Sequence, residues 1–153
     1  MGIMFADPVL VARYAQGERN FIGANLRGAC LNGIVFVEAD LRGADLNGAK
    51  LREANLRGAN LRRAELGGAD LTGADLREAS LSEAKLEKAD LSGANLAGVY
   101  LGQNCLRAGC FVDSTTYEKS SWTPETLLEW QQAGAIIKDF SRLPKEVIRQ
   151  ILG

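Results

Sequence analysis

Residues 54–71 read ANLRGANLRRAELGGADL, with a leucine at every fifth position and an alanine two places ahead of each leucine. A helix turns in 3.6 residues and a strand alternates in two, so neither explains a period of five. Followed outward, the beat runs from Phe21 to Phe111 as nineteen units in one register. The central residue is Leu in sixteen of them and Phe in three, Phe21, Phe36 and Phe111. Ala stands two residues before the centre in fourteen, and self-similarity this strict is the signature of a solenoid.

Local propensity points elsewhere and is overruled. The run ADLREASLSEAKLEKADL (74–91) is rich in good helix formers. A step of five residues is about 140° around a helix, so its leucines would spiral over the whole surface and leave no apolar stripe. In an extended chain, Ala and Leu two apart share a side, and the Asp or Asn between them points away. Two mostly polar residues then precede the next Ala, so the chain must bend once per unit to keep Ala and Leu inside. Glycine holds the second of those outward places in ten of nineteen units, as at Gly43, Gly48 and Gly68, which suits a tight corner.

Tandem A(D/N)LxG units of this kind resemble the pentapeptide-repeat proteins, over residues 20–113. The resemblance implies an all-β solenoid: a right-handed quadrilateral β-helix of about five coils, four units to a coil of twenty residues. At about 4.8 Å per coil the rod would be roughly 23 Å long. Leu41, Leu61, Leu81 and Leu101 would stack beneath Phe21, and Leu46, Leu66, Leu86 and Leu106 below Leu26, with the phenylalanines broadening the core where it meets a cap.

Open ends of such a rod need covering. Residues 1–19 are expected to form an N-terminal cap, with Asp7 as N-cap and Pro8 in the first turn of a helix over Val9–Gln16 that stops at Gly17. Leu10 and Tyr14, four apart, can lie on the first coil. The run RYAQGERNF (13–21) also looks like the N-terminal cap of many bacterial family members. Beyond residue 113 the repeat dissolves, both tryptophans appear (Trp122, Trp130), and residues 114–153 read as a helical tail. One helix starts at Thr123-Pro124 and ends near Gly134; another starts at Leu143-Pro144 and covers Lys145–Leu152. In the last helix Val147, Ile148, Ile151 and Leu152 form an apolar stripe, which suits capping and equally a dimerisation or docking surface.

Chemistry is harder to find. The 153-residue chain has no histidine, which removes the commonest general base and most zinc sites. It has no phosphate-binding glycine motif, and a leucine-filled rod offers no concave pocket, so neither catalysis nor a cofactor is expected. Asp70 and Asp90 fall in one column, but Lys50 lies there too, and an ordinary solvated ladder is the reading over a cation site. Cys30, Cys105 and Cys110 each precede a repeat centre, so they should point outward; free thiols are expected, with a Cys105–Cys110 bridge as the alternative. Net charge is −1, and the start MGIMFADPVLVARYAQG has no basic region or long apolar run. The default expectation is a cytoplasmic protein that binds neither nucleic acid nor membrane.

The most informative surface feature is arginine just after the repeat centre: Arg42 above Arg62 on one face, Arg57 above Arg77 on the next, and Arg63 added at a corner. Such a grid can meet carboxylates on a partner, while interleaved Glu38, Asp40, Asp75, Glu78 and Glu83 point to a mixed solvated surface. The leading functional reading is a non-enzymatic scaffold for a protein partner, with a homodimer through the C-terminal region as a further expectation. An alternative is docking of a regulatory partner by the C-terminal helices. A third, implied by the resemblance alone, is DNA mimicry toward gyrase. B-DNA carries about one negative charge per 1.7 Å, so the rod would need about 13. Residues 21–113 hold twelve acidic and eleven basic residues, which argues against mimicry.

Overall fold

The computed structural model describes residues 8–101, 110–132 and 134–153. Within them, single-residue parallel pairings recur at a step of twenty. Asn20 pairs with Asp40, and Asn60, Ser80 and Tyr100 follow in the same ladder; three further ladders start at Asn25, Cys30 and Val35. Leu41, Leu61 and Leu81 are buried in one column below Phe21, and Leu46, Leu66 and Leu86 in another below Leu26. The alanines from Ala39 to Ala94 are buried beside them.

The unit Ala39–Gly43 shows why five residues suffice. Ala39 N–H donates to Phe36 C=O (3.1 Å) and closes a turn. Asp40 N–H donates to Arg19 C=O in the coil before (2.7 Å), while Leu41 and Gly43 N–H donate to Asn60 and Arg62 C=O in the coil after (2.8 and 3.0 Å). The fifth donor, Arg42 N–H, meets the side chain of Asp40 (Oδ1, 3.3 Å). Each corner residue has a positive φ, +64° at Gly43 for example, as the third residue of a type II turn requires. Glu38, Glu53, Arg63, Glu78, Glu83 and Lys88 adopt the same left-handed backbone without being glycine.

The Asp or Asn before each centre therefore has a structural duty beyond pointing outward. Asn20, Asn25, Asp45, Asn55, Asn60, Asp70, Asp75, Asp90 and Asn95 accept the same N–H two residues on as Asp40 does. At two units where the residue cannot serve, Lys50 and Glu65, an asparagine one coil earlier takes over: Asn32 Oδ1 accepts Arg52 N–H (2.9 Å) and Asn47 Oδ1 accepts Gly67 N–H (3.0 Å).

At the N-terminal end, α1 (Pro8–Ala15) lays Leu10 and Tyr14 on the first coil, as its spacing predicts. Tyr14 packs on Phe36, which stacks on Phe21 (ring centroids 5.4 and 5.2 Å), and the Tyr14 hydroxyl donates to Val37 C=O (3.0 Å). Arg13 pairs with Glu18, and Arg19 covers the Tyr14 ring, so RYAQGERNF is a folded corner rather than a linker. Asp7, expected as the N-cap, lies outside the described residues, as do Cys105 and Leu106.

At the other end the expected register fails. Asp90 pairs with Phe111 rather than Cys110, a step of twenty-one. Leu91 N–H accordingly donates to Phe111 C=O, and Phe111 N–H to Ala89 C=O. Phe111 thus occupies the outward place before the centre, Val112 fills the centre and is fully buried, and Cys110 takes the alanine place at 2 % exposure. Both expectations, Phe111 in the core and Cys110 pointing outward, are corrected. The small thiol fits an alanine slot, and Asp113 is brought to where it caps the next helix.

That helix, α2 (Ser114–Lys119), was not legible in the repeat. Asp113 accepts Thr116 N–H and, with Thr116 Oγ1, also receives Gly93 N–H (3.0 and 2.9 Å), while Ser120 Oγ receives Leu96 N–H (2.9 Å). These side chains serve donors that a further coil would have served. Strand β1 (Phe111–Val112) pairs in parallel with β2 (Ile136–Ile137), which adds one more rung to the ladder that starts at Cys30. Between them α3 (Pro124–Gln132) buries Leu127 and Trp130, and α4 (Lys145–Leu152) packs against α3 with Val147 buried.

Two measurements follow. Burial pushes the Cys110 thiol up to about 11, so at pH 8 in native protein it should resist alkylation and become reactive only on unfolding; prompt native labelling would restore the unslipped register. Asn47→Ala should lower unfolding free energy by about 1 kcal/mol. Adding Glu65→Asn should recover most of that loss, because an asparagine there can accept the residue 67 amide from within its own unit. A double variant with no better urea midpoint than Asn47→Ala alone would refute this exchange of acceptors.

Candidate functional site

A residue just after a repeat centre stands at the start of a corner, where its side chain leaves the rod. At the corner between the first and second ladders the column reads Ile22, Arg42, Arg62, Ser82, followed at the next position by Gly23, Gly43, Arg63 and Glu83. Arg42, Arg62 and Arg63 come together around a cleft of about 300 Å³ also lined by Ile22 and Gly43. Arg57 and Arg77 stack at the neighbouring corner and do not line it.

Every one of the five expected arginines has a carboxylate partner. Arg42 binds Asp40 through Nε and Nη2 (2.8 and 2.7 Å), and Arg77 binds Asp75 in the same two-point way (2.9 and 2.6 Å). Arg57 reaches Glu78 in the next coil (3.4 Å). Arg62 and Arg63 share Glu83: Arg62 Nη2 lies 2.8 Å from Oε1, and Arg63 Nε lies 2.8 Å from Oε2. The surface is mixed, as the interleaved acids predict, with three guanidiniums against two carboxylates at the cleft.

The electrostatic consequences are local. The Arg42 hydrogen bond holds the Asp40 carboxyl below its ordinary range and raises the guanidinium in turn. Arg77 does the same for Asp75, and the Arg63 bond, followed by that of Arg62, lowers Glu83. Lys85, then Asn47, lowers Glu65. At Asp90 burial pushes upward, but Lys138 and Ser92 together outweigh it and leave the carboxyl lowered.

The carboxylate column of Lys50, Asp70 and Asp90 is occupied by protein cations, Arg52 lying 3.6 Å from Asp70 and Lys138 2.8 Å from Asp90. Among the described residues no three His, Cys, Asp or Glu are grouped to hold a metal ion, and no helix is long and apolar enough to cross a membrane. Of the tail residues, Val147 is buried, Ile148 and Ile151 are half-buried against the core, and Leu152 is 69 % exposed. The stripe therefore mostly serves packing. Ile22 was missed as a cleft residue; the twenty-residue column arithmetic places it above Arg42 and Arg62.

The model of pentapeptide repeats matches residues 20–58 and 59–98 in eight copies, which is more than half the chain. The chain belongs to the pentapeptide-repeat family. Pentapeptide-repeat proteins are right-handed quadrilateral β-helices, and the pairings above agree with such a winding. The solved structure of alr5209, a pentapeptide repeat protein from Nostoc Pcc 7120, is 34 % identical over 90 % of this chain and 100 % of its own, with a TM-score of 0.53. A pentapeptide repeat protein from the Arabidopsis thaliana thylakoid lumen is 38 % identical over 57 % of this chain and 55 % of its own, with a TM-score of 0.29. QnrB1, a plasmid-mediated fluoroquinolone resistance protein, is 17 % identical over 88 % of this chain and 64 % of its own, with a TM-score of 0.42. Among curated proteins none matches. Pentapeptide-repeat proteins are generally non-enzymatic structural or interaction proteins.

Lowered carboxyls stabilise the fold above their unfolded pKa, about 4, and that contribution is lost as pH falls through the folded values. The urea midpoint should thus be flat from pH 7 to 5 and drop below about pH 4. Salt should make the drop shallower, since the pairs are largely exposed. A midpoint unchanged by acid would show that the ion pairs contribute nothing.

Proposed function

We propose that this protein is a non-enzymatic scaffold that docks a protein partner on its arginine-bearing corners, at Arg42, Arg57, Arg62, Arg63 and Arg77. The observation that carries this reading is the gathering of Arg42, Arg62 and Arg63 around one cleft with fewer carboxylates than guanidiniums. A hydrogen-bonded winding holds such groups at a fixed spacing of about 4.8 Å per coil, so a partner meets a preorganised pattern. The reading takes the rod as right-handed, of about five coils, and acting in the cytoplasm.

Two features weigh against the other readings. Near-balanced charge along the repeat is a poor imitation of a nucleic acid, so gyrase is a weaker candidate partner. The inward packing of Val147, Ile148 and Ile151 leaves the last helix little apolar surface for a regulatory partner or a second copy.

Charge reversal of Arg57, Arg62 and Arg77 to Glu tests the proposal. Exposed ion pairs contribute only about 0–1 kcal/mol each, so the variant should stay folded by circular dichroism. Affinity capture from the native cell should lose one or more proteins that the wild type retains. A capture profile identical to wild type would count against these corners as the docking site.

A further inference from the structure

We infer that the cleft at the first corner recognises a short extended segment of the partner that presents an acidic side chain three residues away from an apolar one. The inference rests on the docking reading above and names the chemistry that would satisfy it.

Three features of the cleft combine. First, its charge is uneven. Asp40 takes up both Nε and Nη2 of Arg42, but Glu83 alone serves Arg62 and Arg63. Arg63 engages Glu83 through Nε, and its terminal nitrogens have no partner among the described residues. A guanidinium presents its donors as a planar fork that matches a carboxylate. Second, the floor is open. Gly43 lies between the arginines, and even a methyl group added there would touch nothing within 4 Å. Third, the upper end is apolar, because Ile22 is 51 % exposed directly above Arg42 in the column.

Spacing joins these features. Ile22 and Arg62 are two coils apart, about 10 Å at about 4.8 Å per coil. An extended peptide in the polyproline II form turns once in three residues and rises about 3.1 Å per residue. Side chains three positions apart therefore share one face and lie about 9 Å apart, close to that distance. Leucine or isoleucine on Ile22 would thus set a glutamate or aspartate on Arg62 and Arg63. A nucleic acid fits less well, since Asp40 and Glu83 flank the site and would face successive phosphates.

Arg63 also supplies a clean variant. It holds a corner that glycine holds in most units, at φ +59°, so Arg63→Gly removes the charge while easing the backbone. The probe is the acetylated amide Gly-Leu-Ser-Ser-Glu-Gly, titrated into ¹⁵N-labelled full-length protein while the arginine Nε–H resonances are followed. Shifts of Arg62 and Arg63 are expected, with affinity at least tenfold weaker for the Glu→Gln and the Leu→Ser peptides, and for Arg63→Gly and Ile22→Ser proteins. Arg77→Gln should be without effect. Absence of these shifts, retention of affinity by the altered peptides, or tighter binding of a twelve-nucleotide single-stranded DNA would overturn the inference. The broader docking reading is separated by affinity capture. If reversal of Arg57 and Arg77 releases the partner but Arg63→Gly and Ile22→Ser do not, the cleft inference falls and the docking reading stands.

Discussion

A single backbone amide per unit, that of the residue after each repeat centre, governs the rest of this architecture. The other four N–H groups of a unit are served by its own turn and by the coils on either side. This one points into the corner, beyond reach of the backbone of either coil, so its acceptor has to be a side chain. Asp and Asn side chains accept the N–H two residues on more strongly than Ser or Thr can, which explains their recurrence better than any surface preference. Two of the exceptions follow the same rule. Lys50 and Glu65 stand in units where an asparagine in the preceding coil has already taken over the duty.

The ends are built by the same logic with different parts. At the start, the rings of Tyr14, Phe36 and Phe21 pack on one another between the helix and the first coils, and the Tyr14 hydroxyl donates to a backbone carbonyl. At the finish, the side chains of Asp113, Thr116 and Ser120 stand in for a coil that is not there. The chain can leave the repeat at that point because a capped helix already carries acceptors at the needed places.

Much of this was legible in the sequence because leucine and alanine at a period of five admit few other structures. The columns, the turning corners and the bounds of α3 and α4 follow from that beat and from proline and glycine punctuation. The register slip did not follow, since Phe111 keeps the five-residue count and only packing reveals that Val112 belongs inside. Helix α2 was hidden because Ser114, Thr116 and Ser120 read as a polar stretch, although burial of each is what seals the rod. The arginine columns could be placed by counting, but the cleft required knowing that Asp40 and Glu83 draw the guanidiniums to one side. Ile22 escaped notice because it is apolar at a place where polar residues were sought.

The parallel pairing of β1 with β2 has a consequence for biosynthesis. The strand that covers the end of the ladder begun at Cys30 lies some twenty-five residues downstream of the strand it pairs with. A nascent chain can wind its coils progressively as they emerge, each new one templated on the last. Its growing end remains an adhesive β-edge throughout, able to accept any extended chain nearby. Only when Ile136 and Ile137 have left the ribosome can that edge be closed, so the interval between the last repeat and the tail is the period of greatest exposure to misassembly.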